Sequence, residues 1–501
     1  LPTRYKLLSQ AHIRALKDET RQVKNRDIRI LFVNPGRGIY DMPPLGVCYL
    51  SSYLKKYGTN TYKTVLADEY AGHNPIKVAR QFEPDIIGFS SATAQYHRAT
   101  RLARKMRRFS NAPLVIGGLH PTALPEQVIK EGFFDIAVVS EAERSFTHLV
   151  DALAASGFAL DSGVLRQIPG IAFRSDDEIV LTEPPKFIDD LDTIPFPDRS
   201  LLDLTHYLHR NAAIRSMITR NTTLMTSRGC PFRCIYCISV HRRQLREHSP
   251  EYVIEEMQSL VRDYNLEGLC IIDDTFIFDG KRASRIAELM LQTGIARRLK
   301  WPCYGRANIV SRCEDSFINL LKKAGMAQME FGFESASKRV LQFLKGKGVT
   351  PEDNEATLDR LERLNVRALA TFLTGVPTET AEESRMTVEF IRRNFERLAY
   401  FEILYLVPYP GTRVWEMHHM DDIISPNLWQ NYKIGLNKRF PVDSEFTRNI
   451  DYETATKAVN EVMSMMVKKQ KLTYNLRFLR DRLRIAPLDT VKKVAAHFLG
   501  R

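Results

Sequence analysis

The chain has 501 residues, 44% apolar and 26% charged, with 72 Lys/Arg against 59 Asp/Glu for a formal charge of +13. That length exceeds one hydrophobic core and predicts about two or three domains, while the composition excludes a disordered or fibrous chain. No apolar run reaches the roughly eighteen residues of a membrane span and the N-terminus lacks a signal-peptide pattern, so a cytoplasmic protein is expected.

The charge is uneven. Residues 1–27 hold seven Lys/Arg against three acids and residues 465–501 hold ten against two, which places +4 and +8 of the total +13 at the two ends. No basic face interleaved with aromatics and no recognisable binding module accompanies them, so no nucleic-acid partner is expected. The ends fit an anionic surface or a protein partner, or are solvated helical faces.

The first ordered block alternates strand and helix. "IRILFVNP" (28–35) is a short apolar strand, and "PLGVCYLSSYLKKYG" (44–58) has helical apolar spacing opened by Pro and closed by Gly. Strands follow at 61–66, 85–90, 113–118 and 135–140, with helices at 95–109 and 121–132. The alternation predicts a parallel sheet over 28–158, covered on both faces, that binds ligands beyond its strands' carboxyl ends. Residues 159–215 read as a linker, with a hairpin around Ser175–Glu178 and then the proline-rich "PFPDRSLLDL".

A second series places strands at 222–226, 268–273, 301–305, 328–334, 368–374 and 401–407, with helices between them. Six repeats, short of the eight of a closed barrel, predict a partial (β/α)6 TIM barrel over 216–415. Residues 1–27 form a basic N-terminal extension and 416–501 a helical, basic C-terminal one. In the latter, Leu472, Leu476, Leu479 and Leu483 recur at helical spacing among Arg477, Arg480, Arg482 and Arg484. Such a helix either lies on an anionic membrane surface or packs its leucines on the barrel.

Cysteine usage is the sharpest signal. Seven cysteines, an odd number, do not form a disulfide framework, and Cys48, Cys270, Cys303 and Cys313 read as buried small hydrophobes. The other three are crowded into "TSRGCPFRCIYC" (226–237) as C-x3-C-x2-C. An iron–sulfur cube held by Cys230, Cys234 and Cys237 would keep one iron open for a ligand, which a four-cysteine cluster does not. The rivals are zinc, with His241 as the nearest fourth ligand at a spacing no common finger uses, and three buried thiols gathered by chance.

Cys230, Cys234 and Cys237, with Tyr236 before the last, resemble the signature of the radical S-adenosylmethionine enzymes. "IDDTF" (272–276), "FGFES" (331–335), "FLTGVPTET" (372–380) and "YLVPYPGT" (405–412) extend the resemblance to the subgroup with an N-terminal cobalamin-binding domain. The resemblance implies a [4Fe–4S] cluster whose open iron chelates S-adenosylmethionine and, once reduced, cleaves it to a 5′-deoxyadenosyl radical. It implies that Tyr236 presents its backbone to the adenine, and that Asp273 and Asp274 meet the methionyl amino group or else cap a helix. Arg306 is assigned to the methionyl carboxylate, and Glu334 and Ser335 to the ribose and amino group. Gly375 is assigned to close approach of the adenosyl group or to a simple turn.

The first block likewise resembles a flavodoxin-like Rossmann cobalamin domain, through "PPLGVCYLSSYLKKYG", "IGFSSAT" and "VIGGLHPTALPE". This implies cobalamin contacts from Gly38, Pro44, Leu45, Ser90, Ser91, Thr93, Gly117, Gly118, His120 and Glu141. The loop "NPGRGIYDMPP" lacks the D-x-H-x-x-G motif, so no histidine is expected beneath cobalt there; His73 and His120 otherwise read as surface or loop residues. Relatives often carry Gly-Glu-Gly-Glu where this chain has "SEAE" (140–143), which puts side chains where backbone would approach.

The expected activity is cobalamin-dependent radical methylation of an unactivated carbon, on a small-molecule or lipid-like substrate. An external electron donor such as a flavodoxin or ferredoxin, and peripheral membrane contact through the C-terminal region, complete the expectation. The alternatives are a radical oxidoreductase, cyclase or C–C coupling enzyme and, from another class, a non-enzymatic iron–sulfur or corrinoid-binding protein. Methylthiolation would call for a second three-cysteine set, which is absent.

Overall fold

The computed structural model describes residues 27–36, 42–208, 219–238, 244–417, 429 and 452–473. Its first sheet contains β1 (Ile28–Asn34), β2 (Tyr62–Asp68), β3 (Ile86–Ser90), β4 (Leu114–Gly117), β5 (Ile136–Val138), β6 (Ile171–Ser175) and β7 (Glu178–Leu181), in the order 2-1-3-4-5-6-7. The first five strands are parallel, and the order reverses between β1 and β3, which is where such sheets open a ligand crevice.

Alternation along β1 sends Leu31 and Val33 into one core and Ile30 and Phe32 into the other. Helix Thr93–Met106 contributes Tyr96, Leu102 and Met106 to the first core. Helices Leu45–Tyr57 and Glu143–Ala155 contribute Val47, Leu54, Phe146 and Leu149 to the second. The hairpin expected within the linker continues this sheet instead: β6 pairs antiparallel with β5, and β7 with β6. The connection between domains therefore begins after Leu181.

The second domain opens with β8 (Asn221–Leu224) and a short antiparallel stem, β9 (Ser227–Arg228) with β10 (Arg246–Glu247), which the sequence reading did not find. There follow β11 (Gly268–Ile271), β12 (Trp301–Gly305), β13 (Met326–Glu334), β14 (Arg367–Thr374) and β15 (Leu398–Tyr405). β8 pairs parallel with β11, and β12 to β15 form a parallel sheet in chain order. A bridge between Gly268 and Lys300 joins the two sets, giving the six-stranded partial barrel.

Phe331, Phe333, Phe372 and Phe401 point outward into one core under the surrounding helices. Helix Tyr452–Thr473 completes the last repeat by placing Ala455, Ala458, Val459 and Val462 in that core. Among the described residues no helix is long and apolar enough to cross a membrane. Of the four leucines of the basic tail, Leu476, Leu479 and Leu483 lie outside the described residues, as does the side chain of Leu472.

Candidate active site

The cysteine loop leaves the carboxyl end of β8 through the β9–β10 stem, and its root is pinned. Asp273, beyond the end of β11, is 1% exposed. It accepts hydrogen bonds from the Thr226 backbone N–H (2.6 Å), the Ser227 hydroxyl (2.8 Å) and the Thr226 hydroxyl. Arg282 donates to the Thr226 carbonyl at 2.7 Å from the other side. Asp273 is thus placed as an internal anchor, and only its neighbour Asp274 is exposed.

The three loop cysteines are half-buried and outside any disulfide, whereas Cys48, Cys270 and Cys303 are buried. Burial pushes the thiols of Cys48 and Cys270 up to about 12, which suits protonated core residues rather than ligands. Among the described residues, no group of three or more His, Cys, Asp or Glu side chains could hold a single metal ion. A cube makes no such demand, because each thiolate binds a separate iron; His241 lies outside the described residues. The Arg306 guanidinium stacks 3.8 Å above the Phe232 ring, with Nη1 3.5 Å from Cys234 Sγ. This puts Arg306 beside the cluster loop as well as at the end of β12.

Glu334 ends β13 in a left-handed conformation (φ 62°), next to a break in register with β14. Such an irregularity re-aims a side chain at a strand end. Its carboxylate accepts the Tyr236 hydroxyl at 2.7 Å and lies 3.4 Å from Lys345 Nζ. A Cβ on Gly332 would collide with that carboxylate, which explains the glycine of "FGFES". Ser335 is fully buried and bonded to Thr387 and the Ser337 N–H, within the protein rather than at the mouth.

Gly375 (φ 71°) makes a turn and donates its N–H to Glu379 at 2.9 Å. Glu379 also accepts the Thr374 hydroxyl, and burial pushes its carboxyl up to about 7. Neither Lys345 nor Glu379 was expected at the site. Glu379 stands inside "FLTGVPTET" and was passed over there, while Lys345 lies ten residues beyond "FGFES" with no signal of its own.

In the first domain, Pro44, Ser90 and Gly117 are half-buried at the strand-end side. A Cβ on Gly117 would meet only the Val138 carbonyl, at 3.7 Å, so backbone is open to approach there. Gly118 (φ 108°) is a glycine for an internal reason: a Cβ would sit 2.6 Å from the Ser91 carbonyl oxygen. Leu45 and Ser91 are buried, and Thr93 bonds His120 at 3.2 Å. His120 lies in the core, stacked 3.9 Å from Tyr96 and edge-on to Trp429, and burial lowers it to about 3. Glu141 binds Arg246 and Arg228 of the second domain. Gly38 lies outside the described residues. The accessible strand-end residues Pro44, Ser90 and Gly117 fit a nucleotide-bearing corrinoid.

Comparison with known proteins agrees with this division. Residues 38–150 match the B12 binding domain and residues 224–391 the Radical SAM superfamily. The chain is 32% identical over 395 residues to an uncharacterised methyltransferase of Pyrococcus horikoshii, spanning 78% of this chain and 81% of that protein. It is 29% identical to the anaerobic magnesium-protoporphyrin IX monomethyl ester cyclase of Cereibacter sphaeroides, over 71% of this chain and 58% of that one. The fold is similar to that of the radical S-adenosylmethionine methyltransferase TsrM from Kitasatospora setae, solved with cobalamin and a [4Fe–4S] cluster. The TM-score is 0.63 at 18% identity, covering 79% of this chain and 78% of TsrM. With its three-cysteine loop at the mouth of a partial barrel and a B12-binding sheet ahead of it, the chain belongs to the radical S-adenosylmethionine enzymes that carry an N-terminal cobalamin-binding domain.

Proposed function

We propose that this enzyme is a cobalamin-dependent methyltransferase acting on an unactivated carbon of a small molecule. The observation that carries the reading is adjacency. Glu141, on the loop after β5, and Glu143, the first residue of the helix that follows, are ion-paired with Arg228 and Arg246 at the stem of the cysteine loop. The strand ends of the B12-binding sheet thereby face the mouth of the radical barrel. Cobalamin held there would supply a methyl group for a substrate radical, and proximity would favour that outcome over other fates of the radical.

The chain's own residues have three tasks. Cys230, Cys234 and Cys237 would hold the cluster, with Arg306 offsetting thiolate charge. Asp274 and Glu334 are the candidate polar contacts for S-adenosylmethionine, and Tyr236 and Lys345 fix the Glu334 carboxylate. Pro44, Ser90 and Gly117 offer the surface for cobalamin. An external one-electron donor, such as a flavodoxin or ferredoxin, would reduce the cluster. Peripheral membrane contact through the basic tail belongs to the same proposal, as does a cytoplasmic location.

The similarity to the cyclase favours one other reading, radical cyclisation or oxidation with the same two domains. Anaerobically reconstituted protein, given reductant and methyl-labelled S-adenosylmethionine with extract fractions, separates the two. Both form 5′-deoxyadenosine, and only the methyltransferase moves label into a fraction. Label in no fraction while 5′-deoxyadenosine accumulates would sink the proposal in favour of the alternative.

A further inference from the structure

The turn after β5 does more than end a strand. Ser140 is held in a left-handed conformation (φ 66°), its N–H donated to the Thr122 hydroxyl at 2.9 Å. From this turn two carboxylates cross to the second domain. Glu141 takes Arg246 through both oxygens, one of them 3.0 Å from Nη1, and lies 3.4 Å from Arg228 Nη1. Glu143 accepts from Arg228 Nη2 at 2.6 Å. All four side chains are only 5–8% exposed, and two negative charges meet two positive ones.

Each arginine is also gripped by an aromatic face. Arg228 lies 5.2 Å from the Tyr49 ring and Arg246 4.6 Å from that of Phe187; Arg246 further donates to the Ile188 carbonyl at 2.8 Å. Arg228 and Arg246 face each other across the β9–β10 stem, and Arg228 is two residues ahead of Cys230. Both legs of the stem are therefore held, so it cannot tilt about either one.

We infer that Glu141 and Glu143 are positioning residues, which fix the cofactor-facing turn of the first domain onto the stem of the cluster loop and so set the separation of cobalamin and cluster. The inference rests on the methyl-transfer reading above. Mere adhesion between domains would need one such pair anywhere on the interface; four buried charges at the root of the cluster loop specify a geometry.

The test uses the full chain carrying Glu141→Gln with Glu143→Gln, and separately Glu143→Asp, which keeps the charge but shortens its reach. In the cofactor-free protein, amide hydrogen exchange over 138–144 and 226–231 should rise together by at least about tenfold in the double variant. After loading, iron and cobalamin contents should equal wild type. Magnetic coupling between cob(II)alamin and the reduced cluster should weaken. The ratio of S-adenosylhomocysteine, left when S-adenosylmethionine gives its methyl to cobalamin, to 5′-deoxyadenosine should fall at least tenfold, and Glu143→Asp should fall between. A ratio and coupling like wild type in both variants would overturn the inference, whatever the exchange shows. If the double variant fails to fold, Glu143→Asp decides by the same two readouts. Wild type making 5′-deoxyadenosine but no S-adenosylhomocysteine would instead count against the methyl-transfer reading, leaving magnetic coupling to judge the brace itself.

Discussion

Replacing Asp273 with asparagine separates an anchor from a cofactor contact. The carboxylate accepts three hydrogen bonds from Thr226 and Ser227 in a fully buried setting. Asparagine keeps one acceptor oxygen and turns an amide donor toward groups that are themselves donors. Hydrogen bonds to a charged group are each worth about 1.5–3 kcal/mol, and a buried unsatisfied group costs about 1–3. Burial, however, pushes the Asp273 carboxyl above its ordinary value despite its donors and Arg282, so relief of that desolvation offsets part of the loss. The net is a destabilisation of about 2 kcal/mol, or about 4–8 °C in Tm for a domain of this size. Asp274→Asn, at an exposed position, should leave Tm within about 1 °C and raise the KM for S-adenosylmethionine in 5′-deoxyadenosine formation about tenfold. Calorimetry and anaerobic kinetics on the two variants give the answer. Wild-type Tm with a raised KM in Asp273→Asn, and no effect in Asp274→Asn, would refute this assignment.

Three further outcomes are expected. Cys234→Ala should abolish iron–sulfur absorption and 5′-deoxyadenosine formation while far-ultraviolet dichroism is unchanged; Cys303→Ser, deep in the barrel core, should keep wild-type iron content. Gly117→Trp should block cobalamin uptake at wild-type Tm and iron content, whereas Gly118→Ala should lower Tm by several degrees through its clash with Ser91. Buried neutral His120 titrates near 3 when folded and near 6.5 when unfolded, so the unfolded chain binds the extra proton first. Its contribution is present above pH 6.5 and is lost as pH falls: between pH 6.5 and 5 the wild type should lose about 2 kcal/mol more than His120→Gln, read from urea midpoints.

The parallel strands and the cysteine triplet were legible because their signals are local: apolar runs between amphipathic helices, and three thiols within eight residues. What escaped the sequence was long-range pairing. The hairpin at Ser175–Glu178 was visible, but its attachment to β5 depends on Ile171 meeting Val138, which no short window contains. Arg228 stood inside the motif, yet its partner Glu143 is 85 residues away. Gly118 was read only as a cradle for a nucleotide, and the need for glycine that Ser91 imposes on it lies 27 residues away. Ser335 and His120 were assigned outward because the resemblance names positions, whereas burial decides which way each side chain faces.

One helix explains why the two domains hold a single orientation. Leu45–Tyr57 reads in sequence as an ordinary amphipathic cover for the first sheet, and Val47, Cys48 and Leu54 do serve that core. Its other face binds the connection: Ser51 and Lys55 donate to Asp198 at 2.8 and 2.6 Å. The next residue, Arg199, is buried against the barrel, bonded to Thr222, the Thr223 carbonyl and Glu256. On an adjoining face of the same helix, Leu45, Tyr49 and Tyr53 form an apolar cluster with Ile188, Leu191 and Ile194, against which Met225 and Ile272 pack from the ends of the first two barrel strands. Tyr49 also carries Arg228 on its ring. A single attachment would leave a hinge, but this helix is fastened to the barrel at two separated places, through Arg199 and through Arg228. The arginines at these places are themselves held in buried ion pairs, Arg199 with Glu256 and Arg228 with Glu143, and removing either carboxylate costs about 3–5 kcal/mol by leaving a charge uncompensated. The orientation of the B12-binding sheet against the barrel is therefore set by contacts within the chain itself.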